Sequence, residues 1–187
     1  DRIIYPPVET KKFYHRESLG YYLTGGRIEP YKRFDIVVNA FNKLGRKLIV
    51  VGAGSYLPYV RTSSRKNIRF TGRVSDRELA KLYAECEAYI FPAEEDAGIA
   101  PIEAMAAGKP VIAYKKGGVI EVMKEGSTGV FFAKQDAPSL LRALQSFETM
   151  RFDHDKIQQH ARTFDKSLFK KRIVEYIEKK AKEHGIT

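Results

Sequence analysis

Six short apolar runs alternate with six stretches of helical period between residues 21 and 150. The runs at 21–25, 47–51, 68–71, 88–91, 111–114 and 129–132 are predicted strands. Several are apolar without interruption, as strands covered on both faces are. The stretches at 33–44, 56–65, 76–85, 99–107, 119–124 and 137–149 carry helix-compatible spacing of apolar residues, and Gly52, Gly54, Gly72, Gly108 and Gly126 punctuate the joins. Repeated βα units of this length imply a parallel sheet with helices on both faces, because each crossover returns right-handed to the next strand. The expected fold is a doubly wound, Rossmann-like α/β domain, whose ligands lie at the carboxyl ends of the strands.

The two ends of the chain fall outside this alternation. Residues 1–18 contain Pro6-Pro7 and no helical period, and are expected to be a linker arriving from an earlier segment; residues 19–187 are expected to be the domain itself. Near the other end, residues 167–184 place Leu168, Ile173, Ile177 and Ala181, with Phe169, Val174 and Tyr176 close by, on a broad apolar stripe of a highly charged helix. Such a stripe calls for a surface to lie against.

Composition narrows the class. With 187 residues, 43% of them hydrophobic, the chain is long enough for one domain with a core and short for two. Cys86, the single cysteine, has no internal disulfide partner, and its neighbours offer no metal-ligand spacing. No apolar run approaches the roughly 20 residues that span a bilayer. A reducing, cytoplasmic setting is expected. The formal net charge of +10 raises the question of a polyanionic partner. Basic residues recur along the whole chain, at Lys11-Lys12, Arg65-Lys66, Lys115-Lys116, Lys170-Lys171-Arg172 and Lys179-Lys180, without the arginine-glycine or aromatic signature of a nucleic-acid module. A phosphorylated small molecule, or weak attraction to the inner membrane face, fits better than nucleic acid.

The chemistry concentrates in residues 94–110. A strand ending at Phe91-Pro92 delivers the acidic loop Glu94-Glu95-Asp96, then Gly98, then a helix with Pro101 in its first turn. Backbone N–H groups of Gly98, Ile99 and Ala100 surround the helix N-terminus, where unsatisfied donors and the helix dipole favour an anion. From Ala97 to Gly108 the only charged residue is Glu103, with Ile99, Ala100, Ala106 and Ala107 at helical spacing around it. A carboxylate there should be paired or ligand-bound, since burying it alone is costly; a buried salt bridge is the alternative. Phosphate at the helix tip and a ribose diol on Glu103 suit a nucleotide.

Glu95 and Glu103, seven residues intervening, and the following Ala104-Met105-Ala106-Ala107-Gly108-Lys109-Pro110 resemble the E-x7-E signature and trailing helix of the retaining family-four glycosyltransferases. Gly26-Arg27-Ile28, followed by Lys32, is similar to that family's G-R-[IL] and lysine at a strand end. Gly118, Glu121, Gly126 and Gly129 follow its G-x-x-E and G-x-x-G loop. The resemblance runs from about Tyr5 to the end and implies the C-terminal half of a two-domain GT-B fold, with residues 1–18 arriving from an acceptor domain. It implies that Arg27 and Lys32 bind the diphosphate, that Glu95 meets the donor sugar and Glu103 the ribose, and that Arg73 and Val74 stand beside the base. Arg27, Lys32 and Glu95 are thereby the catalytic candidates, and Glu103, Gly98, Ile99, Ala100, Arg73 and Val74 the substrate-binding ones. Two cations at the diphosphate would stabilise charge on the leaving group.

The implied reaction moves a sugar from a nucleoside-diphosphate donor to an acceptor hydroxyl, with retention and without a required metal or other cofactor. The wording of the acidic loop resembles O-antigen-type mannosyltransferases, which points to GDP-mannose, and a lipid-linked acceptor at a membrane surface is a candidate. Two departures stand out: Ala97 replaces a frequent aromatic residue, and Arg33 a frequent glycine. A non-catalytic nucleotide-binding module, a sugar-nucleotide epimerase half or a glycan phosphorylase are the rival readings. For the phosphorylase no cofactor-carrying lysine is evident. Gly52-Ala53-Gly54 starts like a dinucleotide fingerprint but has Leu57 where the third glycine belongs. The four histidines lie outside these motifs and form no ligand cluster with the acidic loop.

Overall fold

A computed structural model describes residues 3–185; the first two residues of the expected linker and the last two of the chain lie outside the described residues. β1 (Tyr21–Gly25), β2 (Lys47–Val51), β3 (Ile68–Gly72), β4 (Tyr89–Phe91), β5 (Val111–Tyr114) and β6 (Gly129–Phe132) form a parallel sheet in the order β3-β2-β1-β4-β5-β6. The helices are α1 (Phe34–Leu44), α2 (Leu57–Thr62), α3 (Asp76–Glu85), α4 (Ile99–Ala106), α5 (Val119–Val122), α6 (Ala137–Glu148), α7 (His154–Arg162) and α8 (Lys166–Glu183). The doubly wound α/β architecture is therefore as expected.

Both faces of the sheet are covered, so alternate residues of each strand enter different cores. Tyr22, Leu48, Val50, Ile90 and Ile112 pack with Val37, Phe41, Val60, Leu140 and Leu144 of α1, α2 and α6. Leu23, Ile49, Val51, Tyr89 and Val111 pack with Leu82, Tyr83, Ile102, Met105, Val122 and Ile157 of α3, α4, α5 and α7. Burial on both faces explains why the strands read as unbroken apolar runs.

The seam between β1 and β4 differs from the others. β1 and β2 share five register pairs, whereas β1 and β4 share Leu23↔Tyr89 alone. Side chains complete the join: Thr24 Oγ1 donates to Ile90 O at 2.9 Å, and the Tyr89 hydroxyl to Gly25 O at 2.8 Å. Strand order also reverses here, since β1 leads outward through β2 to β3 and β4 leads the other way through β5 to β6.

Several elements depart from expectation. α2 ends at Thr62, where the Ser63 and Ser64 hydroxyls donate to Val60 O and Arg61 O and compete with the helix. α7 had no sequence signal, because it buries only Ile157 and Ala161 among charged neighbours; Asp153 caps it, accepting from Lys156 N at 3.1 Å. The segment before β1 lies along the α3, α4 and α7 layer. Val8 is buried and exchanges backbone hydrogen bonds with Phe164 and Lys166, Arg16 N donates to Ala84 O, and the buried Lys109 ammonium donates to Arg16 O at 2.7 Å. α8 has no buried residue, and Leu168, Val174 and Ile177 remain exposed. No described helix is long and apolar enough to cross a membrane.

Thr24→Val keeps the shape of the seam and removes its buried hydrogen bond, leaving Ile90 O without that donor. We expect a loss of about 1–3 kcal/mol of stability, measured by urea unfolding; unchanged stability would show that the seam does not depend on this bond.

Candidate functional site

Because α1 leaves β1 towards one face of the sheet and α4 leaves β4 towards the other, the carboxyl ends of these neighbouring strands open into a crevice. A cleft of about 220 Å³ occupies it. Gly25 and Gly26 form one wall, Phe91, Pro92 and Ala93 the floor, and Ala97, Ile99 and Ala100 the other wall, with Lys32, Glu95 and Glu103 entering from the sides. Ile99 and Glu103 also border a second hollow of about 240 Å³, formed by Pro7, Val8, Lys12 and Phe13 of the N-terminal segment with Asp76 and Leu79 of α3. A larger hollow of about 570 Å³, between Thr10, Phe13, Arg162 and Leu168, contains none of the catalytic or substrate-binding candidates. Its size alone gives it no chemistry.

The start of α4, like those of α1, α2 and α5, carries no capping side chain, in contrast to the four other α-helices. α3, α6, α7 and α8 each begin on a Ser or Asp whose side chain accepts a backbone N–H. α4 begins on Gly98, with no side-chain cap and no acidic residue in its first turn. The N–H groups of Gly98, Ile99 and Ala100 have no protein acceptor among the described residues, and Pro101 has no N–H to satisfy. Three donors and the positive end of the helix thus open at the switch point.

Lys32 closes a 3-10 turn over Pro30–Lys32, which brings its ammonium to 2.5 Å from Glu95 Oε1. The contact is an ion pair without hydrogen-bond alignment, and Oε1 has no other partner. Arg33 follows in the left-handed conformation, with φ 57° and ψ 37°; it is the one non-glycine residue with positive φ among the described residues. Its guanidinium holds Asp35 at 3.2 and 3.3 Å and reaches Gln135 at 3.3 Å, and Gln135 in turn donates to Pro92 O. These bonds offset the strain that a glycine at this position would avoid.

Glycines bring the loops close enough to share the cleft. A Cβ on Gly52 or Gly54 would collide with Gly26 O or Ile28 O, so the glycines that begin like a dinucleotide fingerprint let the loop after β2 approach the one after β1. A Cβ on Gly117 or Gly118 would collide with the backbone of Glu95 or Asp96, and Gly118 N donates to Glu95 O at 2.7 Å. The acidic loop is also tied by Lys116, 3.2 Å from Glu94.

Glu103 is half-buried, and Tyr83 donates its hydroxyl to Oε2 at 3.2 Å. Burial pushes its carboxyl above the usual range, and the tyrosine bond and the Lys12 charge draw it partly back. A raised folded value means that ionised Glu103 costs the fold: its contribution is favourable at low pH and is lost as pH rises through that value. The sequence alternative of a buried salt bridge is not found, since no ion pair to Glu103 occurs among the described residues.

The cleft therefore gathers Lys32, Glu95, Ile99, Ala100 and Glu103, while Gly98, between the lining residues Ala97 and Ile99, is buried and outside the lining. Arg27 follows β1, but its side chain is exposed and outside the cleft walls; Arg73 is exposed past β3, and Val74 packs under the α3 layer. Glu121 accepts from the Tyr5 hydroxyl at 2.9 Å and so holds the N-terminal segment. Sequence reasoning missed Tyr83 and Tyr89, which read as core positions of a helix and a strand. It also missed Gly117, although paired glycines after a strand are a signal of close backbone approach.

A family model described as "Glycosyl transferases group 1" matches residues 8–164. The chain is 30% identical over 148 residues to a protein of Mycobacterium tuberculosis named GDP-mannose-dependent alpha-(1-6)-phosphatidylinositol monomannoside mannosyltransferase, covering 70% of this chain and 38% of that protein. Among solved structures it is similar to a sucrose-phosphate synthase from Thermosynechococcus elongatus, with TM-score 0.84, 21% identity, and coverage of 95% of this chain and 52% of the other. It is also similar to an Anabaena protein in complex with UDP and glucose, with TM-score 0.79, 20% identity, and coverage of 95% and 56%. The fold matches the C-terminal half of GT-B glycosyltransferases. The chain spans well under half the length of the curated relatives it matches.

Gly118→Ala tests how the acidic loop is placed. Overpacking against the Asp96 carbonyl should cost roughly 1–3 kcal/mol and displace the Glu95 loop, lowering the melting temperature. An unchanged melt would show that the loop yields without cost.

Proposed function

The chain belongs to the group 1 glycosyl transferases, and from that premise we propose that it is the donor-binding half of an enzyme that transfers a sugar from a nucleoside diphosphate to an acceptor hydroxyl with retention. The observation that carries this reading is the meeting, at one switch point, of three open N–H donors, the Lys32 ammonium and the half-buried Glu103 carboxylate. The diphosphate lies at the start of α4, within reach of Lys32, and Arg27 supplies a second cation from the strand end. The ribose diol lies on Glu103, the base extends towards the loop of Arg73 and Val74, and the donor sugar meets Glu95. As the glycosidic bond to the diphosphate breaks, charge grows on the leaving phosphate, and the N–H groups and cations stabilise it. The acceptor needs an opposite wall, because the described residues form a single doubly wound sheet.

GDP-mannose is the first donor to test. The wording of the acidic loop supports it, as does the name of the mycobacterial relative; UDP-glucose is the comparison donor. A membrane-surface acceptor is in keeping with the net charge of +10.

Calorimetry with nucleoside diphosphates tests the assignment. Lys32→Ala should cost diphosphate binding about 1.5–3 kcal/mol while leaving the bare nucleoside unaffected, and EDTA should change neither. Equal losses for nucleoside and diphosphate would move Lys32 away from the phosphates. Glu95→Gln should leave a diphosphate without sugar bound as tightly or more tightly, because Lys32 is no longer shared. In a transfer assay with labelled donor, the isolated chain should bind without transferring; robust transfer would contradict the half-enzyme reading.

A further inference from the structure

Tyr83 stands on α3 with its ring enclosed, 2% exposed. Phe13 of the N-terminal segment meets it edge-on at 5.7 Å between ring centroids, and Tyr89 lies 5.3 Å away on the other side. A phenylalanine would fill the same space and carry no hydroxyl to satisfy. The hydroxyl instead reaches across to the neighbouring helix and donates to Glu103 Oε2, the one hydrogen bond to that carboxylate among the described residues. Oε1 is left without a protein partner, on a side chain that borders both the switch-point cleft and the hollow beside α3.

We propose that Tyr83 is a positioning residue, which occupies one oxygen of Glu103, fixes the plane of the carboxylate and leaves the other oxygen to the ribose diol. The proposal rests on the reading of Glu103 as the ribose acceptor. A protonated Glu103 would present a donor where the diol needs an acceptor, and burial favours that form. The Tyr83 O–H acts in the opposite sense, because a hydrogen bond to the ionised carboxylate favours ionisation. Tyr83 itself stays protonated, since burial raises its hydroxyl well above the usual tyrosine value. The other groups facing this carboxyl are Lys12 and Asp76 across the hollow, Tyr89 beneath, and Lys32 and Glu95 in the cleft. None of these donates a hydrogen bond to it. Tyr83 also links the site to the N-terminal segment through Phe13.

The test uses the chain with and without Tyr83→Phe. Carbon-13 NMR titration of the Glu103 carboxyl, with no ligand, should show its midpoint raised in the variant by about one pH unit. Nucleoside-diphosphate binding followed against pH should weaken on acidification at correspondingly higher pH in the variant than in the parent chain. A 2′,3′-dideoxynucleoside diphosphate should bind both proteins alike. A lower melting temperature with an unmoved Glu103 midpoint would mark Tyr83 as structural only and overturn the proposal. A moved midpoint with full affinity retained in Glu103→Gln would overturn the ribose reading on which the proposal rests.

Discussion

The structure turns on the seam between β1 and β4. Elsewhere in the sheet, parallel neighbours are joined by runs of register pairs; here they share one, and the hydroxyls of Thr24 and Tyr89 complete the join. The Tyr89 hydroxyl bridges to Gly25, the last residue of β1, and the crevice opens beyond it, where the two crossovers leave in opposite directions. The chain must fill both cores from this line outward, and no helix can cover the gap between α1 and α4. The cleft, the uncapped start of α4 and the convergence of loops follow from it.

Within that crevice each of the charged side chains already has a protein partner. Lys32 pairs with Glu95, and Glu103 is tied to Tyr83. A diphosphate entering here meets a cation already shared with a carboxylate, so its first favourable contacts are the N–H groups of Gly98, Ile99 and Ala100, which have no competing partner. On the proposed reading, binding would thereby be coupled to the position of the acidic loop. That loop in turn is set by backbone contact with Gly117 and Gly118, where any side chain would push it away. The same device recurs across the cleft, where Gly52 and Gly54 admit the backbone of Gly26 and Ile28.

The central strands were legible in the sequence because burial on both faces makes them largely apolar, and the edge strand β3, with Arg69 exposed, by its β-rich residues and bounding Gly72. Most helices were legible because their stripes repeat. Glu103 and the N–H groups of Gly98, Ile99 and Ala100 were legible for a different reason, as a lone carboxylate on an apolar turn just after a glycine at a helix start, whereas Lys32 and Glu95 were reached only through the family resemblance. What stayed hidden lacks a local signature. The N-terminal segment is held by backbone bonds and scattered contacts such as Val8 and Phe13, with no period to read. α7 buries one turn's worth of apolar surface. Tyr83 matters through a partner twenty positions away on another helix, and nothing in its own surroundings distinguishes it from core. The placement of Arg27 and Arg73 outside the cleft walls depends on loop geometry that residue types do not encode.

The central claim is that the open N–H groups at the start of α4 receive the diphosphate of the donor. Backbone amide NMR of the chain during titration with GDP and with UDP reads this directly. The account predicts that the amides of Gly98, Ile99 and Ala100 shift first and furthest, with Gly26 and Glu103 close behind, and that the region around Thr10, Arg162 and Leu168 stays unmoved. Saturating shifts confined to that second region, with the Gly98, Ile99 and Ala100 amides unchanged, would contradict it.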